Sequence, residues 1–132
     1  MVKAHAFRLI KGQDLKCELE NYIKEKDIKA GVIASCVGCL SKAVIRNASG
    51  KDCIVINKDV EIVSMTGTFS LDGCHLHISV SDEELTTYGG HLKDGCIVNT
   101  TAEVVILELK NYAFNREMDD TTGYKELVIK EI

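Results

Sequence analysis

Three of the four histidines in this 132-residue chain, His75, His77 and His91, fall within a span of 17 residues. Neutral imidazole is a borderline-soft donor suited to zinc, copper, iron or nickel, so the cluster points to a divalent transition metal, zinc foremost. His75 and His77 form a His-x-His pair in the run His75-Leu76-His77-Ile78-Ser79-Val80, which reads as a strand. Side chains alternate along a strand, so Cys74, Leu76, Ile78 and Val80 take the core face and both imidazoles take the other, with Cα atoms roughly 6.5 to 7 Å apart. From there two rings can converge on one ion at about 2.0 to 2.1 Å. A third ligand is needed, and Tyr88-Gly89-Gly90-His91-Leu92 supplies it: paired glycines let the backbone turn sharply or approach closely, aiming His91 back at the sheet. Three histidines leave an open position for water or substrate, with Asp72, Glu83 or Glu103 as a fourth ligand or a base. The competing reading makes His75 and His77 polar residues on a solvated strand face and His91 a turn residue. His5, far away in the first strand, reads as an edge or core histidine.

The elements that must position these residues are mostly strands. Residues 2–10 alternate as a strand, and Asp14 then N-caps an amphipathic helix that carries Leu15, Leu19, Tyr22 and Ile23 and runs to about Lys26. After it the period changes. Val32-Ile33-Ala34 and Ala43-Val44-Ile45-Arg46 flank Gly38, and Ile54-Val55-Ile56 follows; short strands with tight turns account for them. Residues 60–81 read as a hairpin turning at Asp72-Gly73, because glycine accepts the positive φ such turns require. Ala102 to Leu109 reads as a further central strand, and Tyr124 to Ile132 as the strand that closes the sheet. The fold class expected is α+β: a mostly antiparallel sheet with one main helix packed on it, in a single domain of residues 1–132.

Composition narrows the function. Apolar residues make up 45% and charged residues 27%, an ordinary globular balance. A formal charge of −4 with no basic run disfavours DNA as a partner. The N-terminal segment lacks the apolar core of a signal peptide and no stretch approaches a membrane span, so a cytoplasmic protein with reduced thiols and no membrane contact is expected. Cys36 and Cys39 form a C-x-x-C without a second such pair; they and the other cysteines read as packing residues. Arg46, after an apolar run, reads as an ordinary strand residue, with anion binding or a subunit interface as alternatives. No Gly-x-Ser-x-Gly and no phosphate loop is present.

An ordered set of motifs resembles the plants-and-prokaryotes conserved (PPC) domain. It comprises Arg8-Leu9-x-x-Gly12-x-Asp14-Leu15, Ser35-Cys36-Val37-Gly38, Glu61 to Ser70, Asp72-Gly73-x-His75-Leu76-His77, and Gly89-Gly90-His91-Leu92 through Gly95-Cys96 to Val104. The resemblance covers residues 3 to about 110. It implies the α+β fold above assembled as a homotrimer, and in the plant branch, where the domain follows an AT-hook, DNA binding and regulation. This chain contains no Arg-Gly-Arg. The resemblance also implies a stand-alone prokaryotic form, in which the three histidine positions match and hold metal; plant members lack them. A trimer has its own physical motive, since runs such as Ala102 to Leu109 carry few charged gatekeepers and need their edges and apolar faces covered. The functional expectation is a stand-alone trimer with a three-histidine zinc site, against a DNA-binding regulator or a metal-dependent enzyme of unknown substrate.

Overall fold

The computed structural model describes residues 1–132. Nine strands and one helix follow in the order β1 (Val2–Ile10), α1 (Leu15–Glu25), β2 (Gly31–Arg46), β3 (Cys53–Ile56), β4 (Val60–Ser70), β5 (Gly73–Ser81), β6 (Thr87–Leu92), β7 (Ile97–Leu109), β8 (Tyr112–Asp119) and β9 (Tyr124–Glu131). This is the expected α+β class, an antiparallel sheet with a single helix. No helix is long and apolar enough to cross a membrane.

The main sheet runs β1-β7-β2-β4-β5-β6, with β3 paired to β2 and β6 returning to pair with β2. The two stretches flanking Gly38 are therefore one long strand rather than two short ones. Register shifts at Ile33/Ser35, Gly38/Cys39 and Leu40/Lys42 bend β2, as extra residues in a ladder do. The bend lets its first part pair with β4 and its last residues, Ile45 and Arg46, pair with Leu92 and His91 of β6. Strands β2, β4, β5 and β6 thus close on one another.

Helix α1 begins where Asp14 caps it: the carboxylate accepts the Cys17 N–H at 3.1 Å and the Gly95 N–H at 2.7 Å, tying the helix start to the loop before β7. Leu15, Leu19 and Ile23 form its buried stripe. They join a continuous core with Phe69, Leu76, Ile78, Val80, Val104 and Ile106. Ala102 to Leu109 lies in β7, a central strand as expected, paired with β1 and β2 on its two sides. Tyr124 to Ile132 does not close this sheet. Strand β9 pairs only with β8, as a separate two-stranded ribbon.

His5 is a core histidine. Its Nε2 lies 2.8 Å from Glu108 Oε1 and its Nδ1 lies 3.0 Å from the Tyr22 hydroxyl. Burial pushes the Glu108 carboxyl up, but hydrogen bonds from His5 and Lys110 outweigh it and hold the group below its ordinary value of 4.5. A carboxyl depressed by folding stabilises the native state above its unfolded value, and that contribution is lost as pH falls through the native one. Glu108→Gln is therefore expected to cost about 1–2 kcal/mol at pH 7. The difference from wild type should shrink below pH 4.5, read as melting temperature against pH.

Candidate metal centre

The hairpin of β4 and β5 turns at Asp72-Gly73 and alternates as expected: Leu76, Ile78 and Val80 are buried, while His75 and His77 are exposed. His91 reaches them by a different route from the expected turn, because residues 87–92 are strand β6, hydrogen-bonded to β5. His91 lies directly opposite His77. The glycine pair serves close approach instead. A Cβ at Gly90 would stand 2.5 Å from the Arg46 carbonyl oxygen, so only glycine lets β6 lie against β2 at this point.

Cross-strand neighbours share a sheet face. Thr66, His77, His91 and Arg46 follow one another across β4, β5, β6 and β2, and His75 stands beside His77 two residues back along β5. The three rings form a triangle with centroids 5.2, 5.3 and 5.7 Å apart. One ligating nitrogen from each lies within 4.8 Å of the other two.

The electrostatics favour neutral imidazoles. Burial first, then the positive charge of Arg46 and the neighbouring histidines, push His91 down to about 4. Partial desolvation, then the charge of Arg116, likewise lower His75 from its ordinary value, although its side chain remains exposed. Both rings offer lone pairs at neutral pH, the form that binds a metal. His91 Nδ1 is buried with no hydrogen-bond partner, a costly state for a polar atom. A coordinated ion is one partner that would satisfy it. The donor set thus fits a divalent transition metal.

Of the other candidates, Asp72 lines the cavity beside His75 and His91, but its carboxylate is engaged by the Arg116 backbone N–H at 2.7 Å. Glu83 lies at a different surface hollow with Asp59 and Asn99. Glu103 sits on β7, opposite Arg8 and Val37. Neither joins the histidines. Cys36 is buried and its thiol is pushed up to about 12 by desolvation, and Cys39 is also raised, first by desolvation and then by Glu61. Neither takes part in a ligand cluster. A second grouping, Asp14 with Cys17 and Asp94, is accounted for by the helix cap and by the Lys16–Asp94 ion pair at 3.1 Å.

Arg46 reads in the sequence as an ordinary strand residue, and Arg116 carries no sequence motif. Both line the cavity of about 600 Å³ that opens beside His75 and His91.

The model of the Plants and Prokaryotes Conserved domain matches residues 1–110. Two curated relatives, each a bifunctional protein GlmU from a Synechococcus strain, are 40% identical over 131 residues. That match spans 99% of this chain and 21% of each relative, so the chain covers about a fifth of their length. Among solved structures, a hypothetical protein from Salmonella enterica is 35% identical with a TM-score of 0.96, covering 99% of this chain and 95% of that one. A metal-containing protein from Archaeoglobus fulgidus is 30% identical with a TM-score of 0.80, covering 96% and 93%.

Proposed function

We propose that this chain, which belongs to the Plants and Prokaryotes Conserved domain family, holds a divalent transition metal, zinc foremost, on His75, His77 and His91, and works as a homotrimer. The convergence of three ligating nitrogens within 4.8 Å carries the reading. The orphaned His91 Nδ1 and the metal-containing Archaeoglobus relative support it. Held by His75, His77 and His91, a zinc ion would supply Lewis acidity beside the cavity. The chain's own residues do three things there: β5 and β6 fix the rings, partial desolvation and nearby positive charge favour the neutral forms of His75 and His91, and Arg46 flanks the cluster. An open site facing a cavity is the arrangement of a metal-dependent enzyme more than of a closed structural site.

Support for a trimer comes from different apolar residues than the run Ala102 to Leu109. Ala102, Val104 and Ile106 are buried within one chain, whereas Val37, Ile54, Val55 and Val63 are more than half exposed. Strand β3, which carries Ile54 and Val55, pairs on one side only. Symmetric association would cover that edge and exposed apolar residues beside it. DNA binding has no comparable support, since the chain is net acidic and lacks Arg-Gly-Arg.

Elemental analysis of the purified protein is expected to find close to one zinc per chain. Removing it with a chelator should lower the melting temperature by several degrees, because a ligand at 100 times its Kd adds about 2.7 kcal/mol. Light scattering after size exclusion should give the mass of three chains. A metal-free protein that takes up no added zinc would refute the metal centre, and a monomer mass at micromolar concentration would refute the trimer.

A further inference from the structure

Two of the chain's three arginines lie at the cavity beside the histidines. The third, Arg8, is occupied: its Nε donates to Thr101 Oγ1 at 3.0 Å. Arg46 and Arg116 differ, for neither guanidinium forms an ion pair with a carboxylate. Arg46 Nε is moreover buried without any hydrogen-bond partner. A guanidinium presents its donors in a fixed fork matched to carboxylate and phosphate oxygens, and leaving it desolvated and unpaired costs energy unless something fills the fork.

The charge balance of the cavity runs against that of the protein. The chain carries −4 overall, yet the wall holds Arg46, Arg116 and Lys125 against Asp72 and Glu126. Asp72 is partly spent on the Arg116 backbone N–H. A divalent ion on the histidines would add to the positive excess. At about 600 Å³ the cavity suits a small molecule rather than a segment of a macromolecule.

We propose that this cavity binds a small molecule through an oxyanion group, carboxylate or phosphate, gripped by Arg46 and Arg116, with the rest of the molecule facing the three-histidine centre. The placement beside the metal rests on the preceding reading; the arginine grip does not. Arg46 belongs to the same cross-strand row as His91 and His77, so the fold sets anion and metal side by side. Arg116 comes from β8, the ribbon outside the main sheet, which makes that ribbon a wall of the site rather than an appendage.

Isothermal titration of the zinc-loaded full chain with inorganic phosphate and with malonate, at fixed ionic strength, tests this. At least one anion should bind saturably, and the tighter of the two identifies the source chemistry as phosphate or carboxylate. Arg116→Gln and Arg46→Lys should each weaken it roughly tenfold or more, with zinc content and oligomeric mass unchanged. Arg116 is on the outer ribbon, so its variant decides the matter even where Arg46→Lys fails to fold. Failure of both anions to bind, or equal binding in the arginine variants, overturns the proposal. So does loss of binding in a His75→Ala/His77→Ala protein combined with indifference to the arginines, which would place the anion on the metal alone. Arginine-dependent binding to a chain that holds no metal would instead sink the metal centre and leave the anion grip standing.

Discussion

Replacing His75 and His77 together with alanine is expected to reduce bound zinc from about one per chain to background while leaving the fold intact. Loss of an outer-shell partner alone costs a metal site roughly 10 to 100-fold in affinity, and here two of the three ligands themselves are removed. Both side chains are exposed on the sheet face, and surface substitutions of this kind usually move stability by about 0.5 kcal/mol or less. The metal-free variant should therefore melt within a few degrees of chelator-treated wild type. His91→Ala separates the contributions, since it keeps the His-x-His pair and removes the ring opposite it. Zinc content is the readout throughout, and full occupancy in the double variant would end the assignment.

The second large effect is expected from Gly67→Ala, which touches none of the ligands. Gly67 sits in β4 at φ +144°, and a Cβ there would stand 2.0 Å from the His75 carbonyl oxygen and 2.9 Å from the Leu76 Cα. Both obstacles are backbone, so no side chain can swing aside, and β4 must part from β5 at the residues that carry the ligands. A cost of about 3 kcal/mol or more is expected, with weakened zinc uptake despite three intact histidines. Gly73→Ala is the control: φ is +125° but nothing lies within 4 Å of the added carbon, so only about 1 kcal/mol of backbone strain should appear. Denaturant titration of both metal-free variants measures the contrast. Equal losses would mean that steric exclusion at Gly67 is not what holds β4 against β5.

Features set by neighbours in the chain were legible in the sequence. The Asp14 cap, the apolar stripe of α1, the Asp72-Gly73 turn and the alternation that turns both imidazoles of β5 away from the core all follow from local rules. Features set by distant pairing were not. Bulges reset the alternation of β2, so one bent strand looks like two. In the β8–β9 ribbon Tyr124 to Ile132 alternates, but no local pattern tells that its partner is residues 112–119 and not the main sheet. His91 was found by type and spacing, yet the reason it arrives is a ladder with His77 and a close approach to Arg46. Arg46 reads as an ordinary strand residue because its companions come from β6, more than forty positions away. Arg116 carried no signal at all, since its importance lies in where the ribbon folds back.

Chain connectivity also gives the histidines a head start in time. Strands β4, β5 and β6 form a meander of neighbours in sequence, and hairpins of this sort zip in about 1–10 μs. The core is finished by a much slower partner: β7 must insert between β1 and β2, pairing Leu109 with Val2 and Glu108 with Gly31, and pairings that distant slow folding. Sequence separation alone therefore favours registering all three proposed ligands before β7 inserts. Zinc present from the start of refolding would find its ligands in a partly folded chain, so it is expected to speed the recovery of native structure rather than merely to reinforce the finished protein.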